Sequence, residues 1–184
     1  MFTQKIDNDL MITLVDPSFA EKYLAIVENE REYLAKFLAW PSHATDINFF
    51  QNFVLHMLTE YAQGKSITCA IFYKEDLVGN ISLNNINHSL NKAHIGYWIS
   101  KDVQGLGIAT RCVQFLCHFA FDKLSLEKVE LAAATNNNAS RAVAERCGFA
   151  QEGIIRRAEN INGQVIDHAV YGLLKGNHLN NTEN

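Results

Sequence analysis

A chain of 184 residues, 48% hydrophobic and 20% charged, carries enough apolar material for one domain with a sizeable core, which excludes disordered and collagen-like chains. A net charge of −4 and a pI near 6.0 give no drive toward a polyanion, so nucleic acid is not expected as a main partner. No apolar run approaches the ~20 residues of a membrane span, and the stretch from Met1 to Asp7 lacks an apolar signal core, so one cytoplasmic domain over residues 1–184 is expected.

The first strand expected is Met11 to Leu14. Asp16-Pro17 then gives a helix start, a capping carboxylate followed by proline at the first helical position. Tyr23, Leu24, Val27, Tyr33, Leu34, Phe37 and Leu38 fit one helix, or two pieces broken near Asn29, and Trp40-Pro41 stops it. A second helix is marked by Phe50, Phe53, Val54, Met57, Leu58 and Tyr61 at intervals of three and four, with Gly64 as its stop. Strands follow over Thr68–Tyr73 and Leu77–Ile86, joined by the polar turn Lys74-Glu75-Asp76. After an Asn-rich loop, Ala93, Ile95, Tyr97 and Ile99 alternate with His94, Gly96 and Trp98 as another strand. Gly105 and Gly107 lead into a helix with Val113, Leu116, Cys117, Ala120, Phe121 and Leu124 on one face, and Val129–Ala134 is again a strand. That succession describes a right-handed parallel crossover. A short helix over Ala139–Cys147 closes at Gly148, and strands Phe149–Arg156 and Val165–Leu174 pair around the hairpin signal Asn162-Gly163. The polar tail from Gly176 is expected to fray. The fold class is therefore mixed α/β: a mostly antiparallel sheet with one parallel strand pair near its centre and helices on its faces.

Cys69, Cys112, Cys117 and Cys147 sit among apolar residues and show no paired spacing, so four reduced, mostly buried thiols are expected. Neither they nor the seven histidines offer metal-ligand spacing, so no metal is expected and none of the histidines is read as catalytic.

Chemistry concentrates where the strand ending at Ile99 enters the crossover helix through Ser100-Lys101-Asp102-Val103-Gln104-Gly105-Leu106-Gly107-Ile108-Ala109-Thr110. Glycines there let successive N–H groups turn toward one point beside a helix N-terminus, a nest suited to a pyrophosphate. No Lys-Ser or Lys-Thr follows the last glycine, so this is not the nucleoside-triphosphate loop. The third glycine of a dinucleotide fingerprint is also missing.

Gln104-x-x-Gly107-x-Ala109 resembles the acyl-CoA pyrophosphate loop of the GCN5-related N-acetyltransferase (GNAT) superfamily. Asn137-x-x-Ser140-Arg141-Ala142-Val143-Ala144-Glu145-x-Cys147-Gly148-Phe149 is similar to that superfamily's second motif. Ile95-Gly96-Tyr97-Trp98-Ile99 and the Trp40-Pro41 break resemble, more narrowly, the RimJ/RimL-like branch, which acetylates serine or alanine N-termini of ribosomal proteins. The likeness runs from about Met11 to Leu174 and implies the GNAT acyltransferase fold, in which the parallel strands splay apart.

The resemblance implies acetyl-CoA as donor. Backbone groups of Trp98, Ile99 and Ser100 would bind the pantetheine amides, and N–H groups of Gln104, Gly105, Leu106, Gly107, Ile108, Ala109 and Thr110 the pyrophosphate. Asn137 would bond pantetheine, and Arg141 would lie toward the nucleotide phosphates. Asn137 is also readable as a turn residue and Arg141 as a solvated helix residue. Ser140 would donate to the leaving thiolate, or serve only as a helix N-cap or first-turn hydroxyl. Glu159 aligns with the branch's acidic base, acting directly or through water, and is otherwise a charge beside a hairpin turn. Tyr33, Trp40, Tyr97 and Trp98 fall, with Glu159, where the branch builds its acceptor pocket, with core packing as the alternative. Since Tyr97 and Trp98 alternate, one of them is expected to face away from the core. Trp40 and Trp98, facing the cleft together, would clamp a flat group such as a nucleobase.

The implied reaction is acetyl transfer to an α-amino group, with a ribosomal or other protein N-terminus as acceptor. A small-molecule amine, such as an aminoacyl-nucleotide antibiotic or a polyamine, is the alternative. A non-catalytic acyl-CoA-binding module is the alternative of another class, and either a monomer or a homodimer is compatible with the sequence.

Overall fold

The computed structural model describes residues 3–177. Eight strands form one sheet: β1 (Thr3–Lys5), β2 (Leu10–Leu14), β3 (Ile67–Tyr73), β4 (Asp76–Asn87), β5 (Lys92–Ile99), β6 (Lys128–Ala134), β7 (Ala150–Ile161) and β8 (Gln164–Leu174). Their spatial order is β1-β2-β3-β4-β5-β6-β8-β7, antiparallel throughout except for β5 and β6. The helices are α1 (Ala20–Leu34), α2 (Ile47–Ala62), α3 (Ile108–Asp122) and α4 (Asn138–Arg146). The sequence order of elements matches expectation except for β1, a three-residue exposed edge strand with no apolar pattern to reveal it. The tail expected to fray from Gly176 lies, beyond residue 177, outside the described residues.

Alternation along the strands feeds two cores. Leu10, Ile12, Cys69, Ile71, Ile81, Leu83 and Ile95 pack with α3 and α4 on one face. Ala70, Phe72 and Leu77 pack with α1 and α2 on the other, around Tyr23, Val27 and Phe50. Because both faces are covered, neither Tyr97 nor Trp98 faces away from packing, contrary to the simple reading of their alternation: Tyr97 packs on the α3/α4 side and Trp98 on the α1/α2 side.

Local signals operate as their chemistry requires. The Asp16 carboxylate accepts the Ser18 amide and begins a 3-10 turn, Pro17–Phe19, ahead of α1. The break in the first helix comes at Glu30, whose φ of −125° and ψ of 15° leave the helical region one residue after Asn29. Asn162 and Gly163, both at positive φ, form the β7–β8 turn.

The parallel ladder sets the geometry of everything that follows. It runs from Lys92↔Lys128 to Ile95↔Leu131 and ends there. At its closed end the buried Glu130 carboxylate receives Lys92 and Lys128 ammonium groups at 2.9 Å and His94 Nε2 at 3.0 Å. Burial pushes the Glu130 carboxyl up, but the hydrogen bonds from the two lysines outweigh it and leave it below the usual carboxylate range. At the open end, Gly96–Ile99 and Ala132–Ala134 diverge, β5 remaining paired to β4 and β6 to β8.

All four cysteines are free and buried. Burial pushes the thiols of Cys69 and Cys112 up to about 12 and that of Cys147 to about 11, and raises Cys117 further still. The thiolate fraction at pH 8 is therefore about one part in a thousand or less. A maleimide applied at pH 8 should leave the folded protein unlabelled and add four equivalents after guanidinium unfolding; rapid labelling of the native chain would contradict this packing.

Candidate active site

A cleft of about 1000 Å³ opens where β5 and β6 part. Its walls include Tyr33, Trp40, Tyr97, Trp98, Ile99, Gln104, Gly105, Gly107, Ile108, Ala109, Thr110, Asn137, Ser140 and Glu159, so most of the residues expected from sequence come together. None of the cysteines lines it.

The loop after β5 supplies a nest of N–H groups. Gly105 and Gly107 have φ of 74° and 70°, in the left-handed region where a side chain would be strained. The Gly107 conformation starts α3, whose first amides face the cleft. Among the described residues, the amides of Gly105, Leu106, Gly107, Ile108, Ala109 and Thr110 make no hydrogen bond. Six open donors at a helix N-terminus fit a pyrophosphate. Gln104 departs from expectation: its amide donates to Lys101 O at 3.2 Å, and its side chain donates to the Tyr33 hydroxyl. Leu106 is half exposed, and its side chain lies outside the lining.

Ser100 is not available to a ligand. Its amide donates to Val78 O at 2.7 Å, and its hydroxyl donates to Glu30 Oε1 at 2.5 Å. The other Glu30 oxygen accepts the Lys101 amide at 2.8 Å. The kink in α1 thus turns one carboxylate toward the base of the loop, which joins the helix carrying Tyr33 to the N–H nest.

Helix α4 presents a different cation from the one expected. Arg141 points away from the cleft: it donates to Tyr171 Oη at 2.9 Å, Thr135 O at 3.0 Å and Gln151 Oε1 at 3.4 Å. Arg146 lines the cleft, its Nε 3.4 Å from Thr110 Oγ1. Helical spacing carries the signal that was missed, since Ser140, Val143 and Arg146 follow one another at three-residue steps on the lining face while Arg141 does not. Asn137 is the N-cap of α4, its Oδ1 accepting the Ser140 amide at 3.2 Å, and it also lines the cleft.

Ser140 lies in the first turn of α4 with its hydroxyl 3.0 Å from that of Tyr97. Strand alternation turns the Tyr97 ring to the α3/α4 face, and the residue also borders the smaller recess beside Trp98. Burial pushes the Tyr97 phenol up to about 12, so it keeps its proton at neutral pH.

On the α1/α2 face, Trp40 and Trp98 both line the cleft but do not form a clamp. Their centroids are 5.8 Å apart and their planes cross at 55°. A flat group held between two rings needs parallel planes about 7 Å apart, twice the carbon–carbon contact distance. The rings pack on each other, and Trp40 stacks on Phe49. Beyond them lies a recess of about 340 Å³, with Phe53 and Asn80 in its wall.

Glu159 lines the same cleft on β7, 41% exposed, with its carboxylate 3.3 Å from His168 Nε2 on β8. The sequence reading set His168 aside. Its signal is strand parity, because Ala169 and Tyr171 are core residues and His168 must point the other way. The hairpin carrying this pair is tied over the acceptor side: Asn162 Nδ2 donates to Ala35 O at 3.1 Å, and Ser42 Oγ donates to Asn162 Oδ1 at 3.0 Å.

Comparison with known proteins gives a consistent picture. Residues 9–150 match the acetyltransferase (GNAT) domain family. YdaF of Bacillus subtilis (strain 168), named provisionally as a ribosomal N-acetyltransferase, is 35% identical over 95% of this chain and 96% of its own. The crystal structure of RimL, a ribosomal L7/L12 alpha-N-protein acetyltransferase in complex with coenzyme A, superposes with a TM-score of 0.90 at 26% identity, covering 94% of this chain and 97% of that one. The Microcin C7 self-immunity acetyltransferase MccE, in complex with acetyl-CoA and AMP, has a TM-score of 0.89 at 27% identity, covering 92% and 94%.

The Glu30 contacts lead to a physical test. Glu30→Ala should speed amide hydrogen exchange at Lys101 and through the following loop while leaving β3 and β4 protected. Unchanged exchange at Lys101 would show that the carboxylate does not hold the loop.

Proposed function

The chain belongs to the acetyltransferase (GNAT) family, and from that premise we propose that it transfers acetyl from acetyl-CoA to the α-amino group of a protein N-terminus. It is an N-acetyltransferase, so the reading as a non-catalytic module is set aside. The observation that carries the proposal is one continuous cleft with an N–H nest at one end and the Glu159 carboxylate at the other.

The residues present fit an acyl-CoA. Gly105–Thr110 would hold the pyrophosphate through their open amides, and Tyr97–Ile99 with Ala132–Ala134 offer strand edges with no ladder across the gap. Arg146 adds a cation on the α4 wall. Acetyl-CoA, when bound, supplies an activated acetyl thioester.

The chain's own groups divide the remaining work. Glu159 takes the proton from the acceptor ammonium, directly or through water, and leaves a neutral nucleophile. An α-ammonium has a pKa near ~8 against ~10.4 for a lysine, so a carboxylate has less to do on an N-terminus. Ser140 donates its hydroxyl proton toward the departing sulfur, and Tyr97 donates to Ser140 Oγ. A phenol pushed up to about 12 remains a donor across the neutral range.

The protein-N-terminus reading draws on the named activities of YdaF and RimL. The MccE likeness raises a nucleotide-linked amine as the other acceptor, but the crossed Trp40 and Trp98 rings lend it no clamp.

A thiol-release assay with peptides of varied N-terminal residue, polyamines and aminoacyl nucleotides should find turnover with a peptide α-amine. Glu159→Gln should lower kcat by about 10²- to 10⁴-fold, and Ser140→Ala by less, with little change in the KM for acetyl-CoA. Turnover confined to small amines would overturn the protein acceptor, and full activity in Glu159→Gln would overturn the base.

A further inference from the structure

Strand β7 contains two extra residues just before Glu159. Ile155 stands opposite His168 and Glu159 opposite Ile166, so four steps along β7 match only two along β8. An unbroken ladder would place Glu159 opposite Gln164, about 13 Å along the strand from His168. The bulge instead brings the two side chains onto one face at adjoining positions, 3.3 Å apart. The bulge is itself held: Arg157 sits at a φ of 52°, and its amide donates to Asp167 Oδ1 at 2.8 Å. Asp167 is therefore committed to the opposite side of the strand while its neighbour His168 faces the cleft.

We propose that His168 is the positioning residue of Glu159. Its Nε2 lies 3.3 Å from Oε2, and this contact fixes the aim of the carboxylate into the cleft. The inference rests on the reading of Glu159 as the base. In the transfer step an N–H bond of the acceptor ammonium breaks and an O–H bond forms on Glu159, and that proton then passes to solvent. His168 gives up no proton in this step; it holds the accepting oxygen in place.

The other charged groups sharing the cleft are Lys36, from the segment after α1, and Arg146, from α4, while the facing β6 residue is Ala134.

The experiment measures kcat and KM for H168A, H168Q, E159Q and the E159Q/H168A double variant, with thermal melting to check folding. Removal of the ring should lower kcat about ten- to hundredfold, as a misplaced reacting group does, without raising the KM for acetyl-CoA. H168Q, which places an uncharged N–H near the position of Nε2, should recover much of that loss. In the E159Q background H168A should cost nothing further, because its partner is already gone. An H168A enzyme with the wild-type kcat, an H168Q enzyme no faster than H168A, or equal losses with and without Glu159 would each overturn the proposal. If E159Q itself keeps the wild-type kcat, the reading of Glu159 as base falls first.

Discussion

The end of the parallel ladder at Ile95 and Leu131 is the constraint on which the rest of the molecule depends. Two strands that separate inside a sheet leave backbone donors and acceptors without partners, a cost that native structures rarely accept. Here the separation is fixed at both ends. Glu130 and its lysines fasten the closed end, and the antiparallel neighbours β4 and β8 keep the diverging strands from pairing again. The gap is thus a property of the whole sheet.

Strand parity then divides the labour between the two faces. Tyr97 and Ser140 meet on the α3/α4 side, close to the N–H nest, where a leaving group would depart. Trp40, Trp98, Glu159 and His168 gather toward the α1/α2 side, under a hairpin tied down through Asn162. A cleft that passes through the sheet lets donor and acceptor approach from opposite directions, so neither has to displace the other. Adjacent residues such as Tyr97 and Trp98 consequently pack on opposite faces of the sheet.

The sequence made the crossover, the hairpins and the kink near Asn29 legible because each has a local signature: glycines before a periodic helix, Asn-Gly between alternating runs, an interrupted apolar stripe. The motif resemblance located the cleft residues Gly105, Gly107 to Thr110, Asn137, Ser140 and Glu159. What stayed hidden depends on contacts distant in sequence. Ser100 is withdrawn from the cleft by Glu30, seventy residues earlier. Arg141 is withdrawn by Tyr171, and only the rotation of α4 reveals Arg146 in its place. His168 gains a meaning through a bulge in another strand, which no spacing within its own strand could announce. Aromatic content foretold that Trp40 and Trp98 would sit by the cleft, but ring orientation is set by packing against Phe49 and Tyr23.

The N–H nest has a consequence for how such a protein can change over evolutionary time. Its donors are peptide groups, present whatever the side chains are, so substitutions there matter only when they disturb backbone shape, as at Gly105 and Gly107. The opposite wall is built from side chains, most of which, Tyr33 with its bond from Gln104 excepted, are replaceable without touching the nest. With the nest holding the donor, as proposed above, affinity for the donor is insulated from drift in the preference for the second substrate. Relatives at about a quarter to a third identity can keep nearly the same chain path while carrying names as different as ribosomal-protein modification and self-immunity.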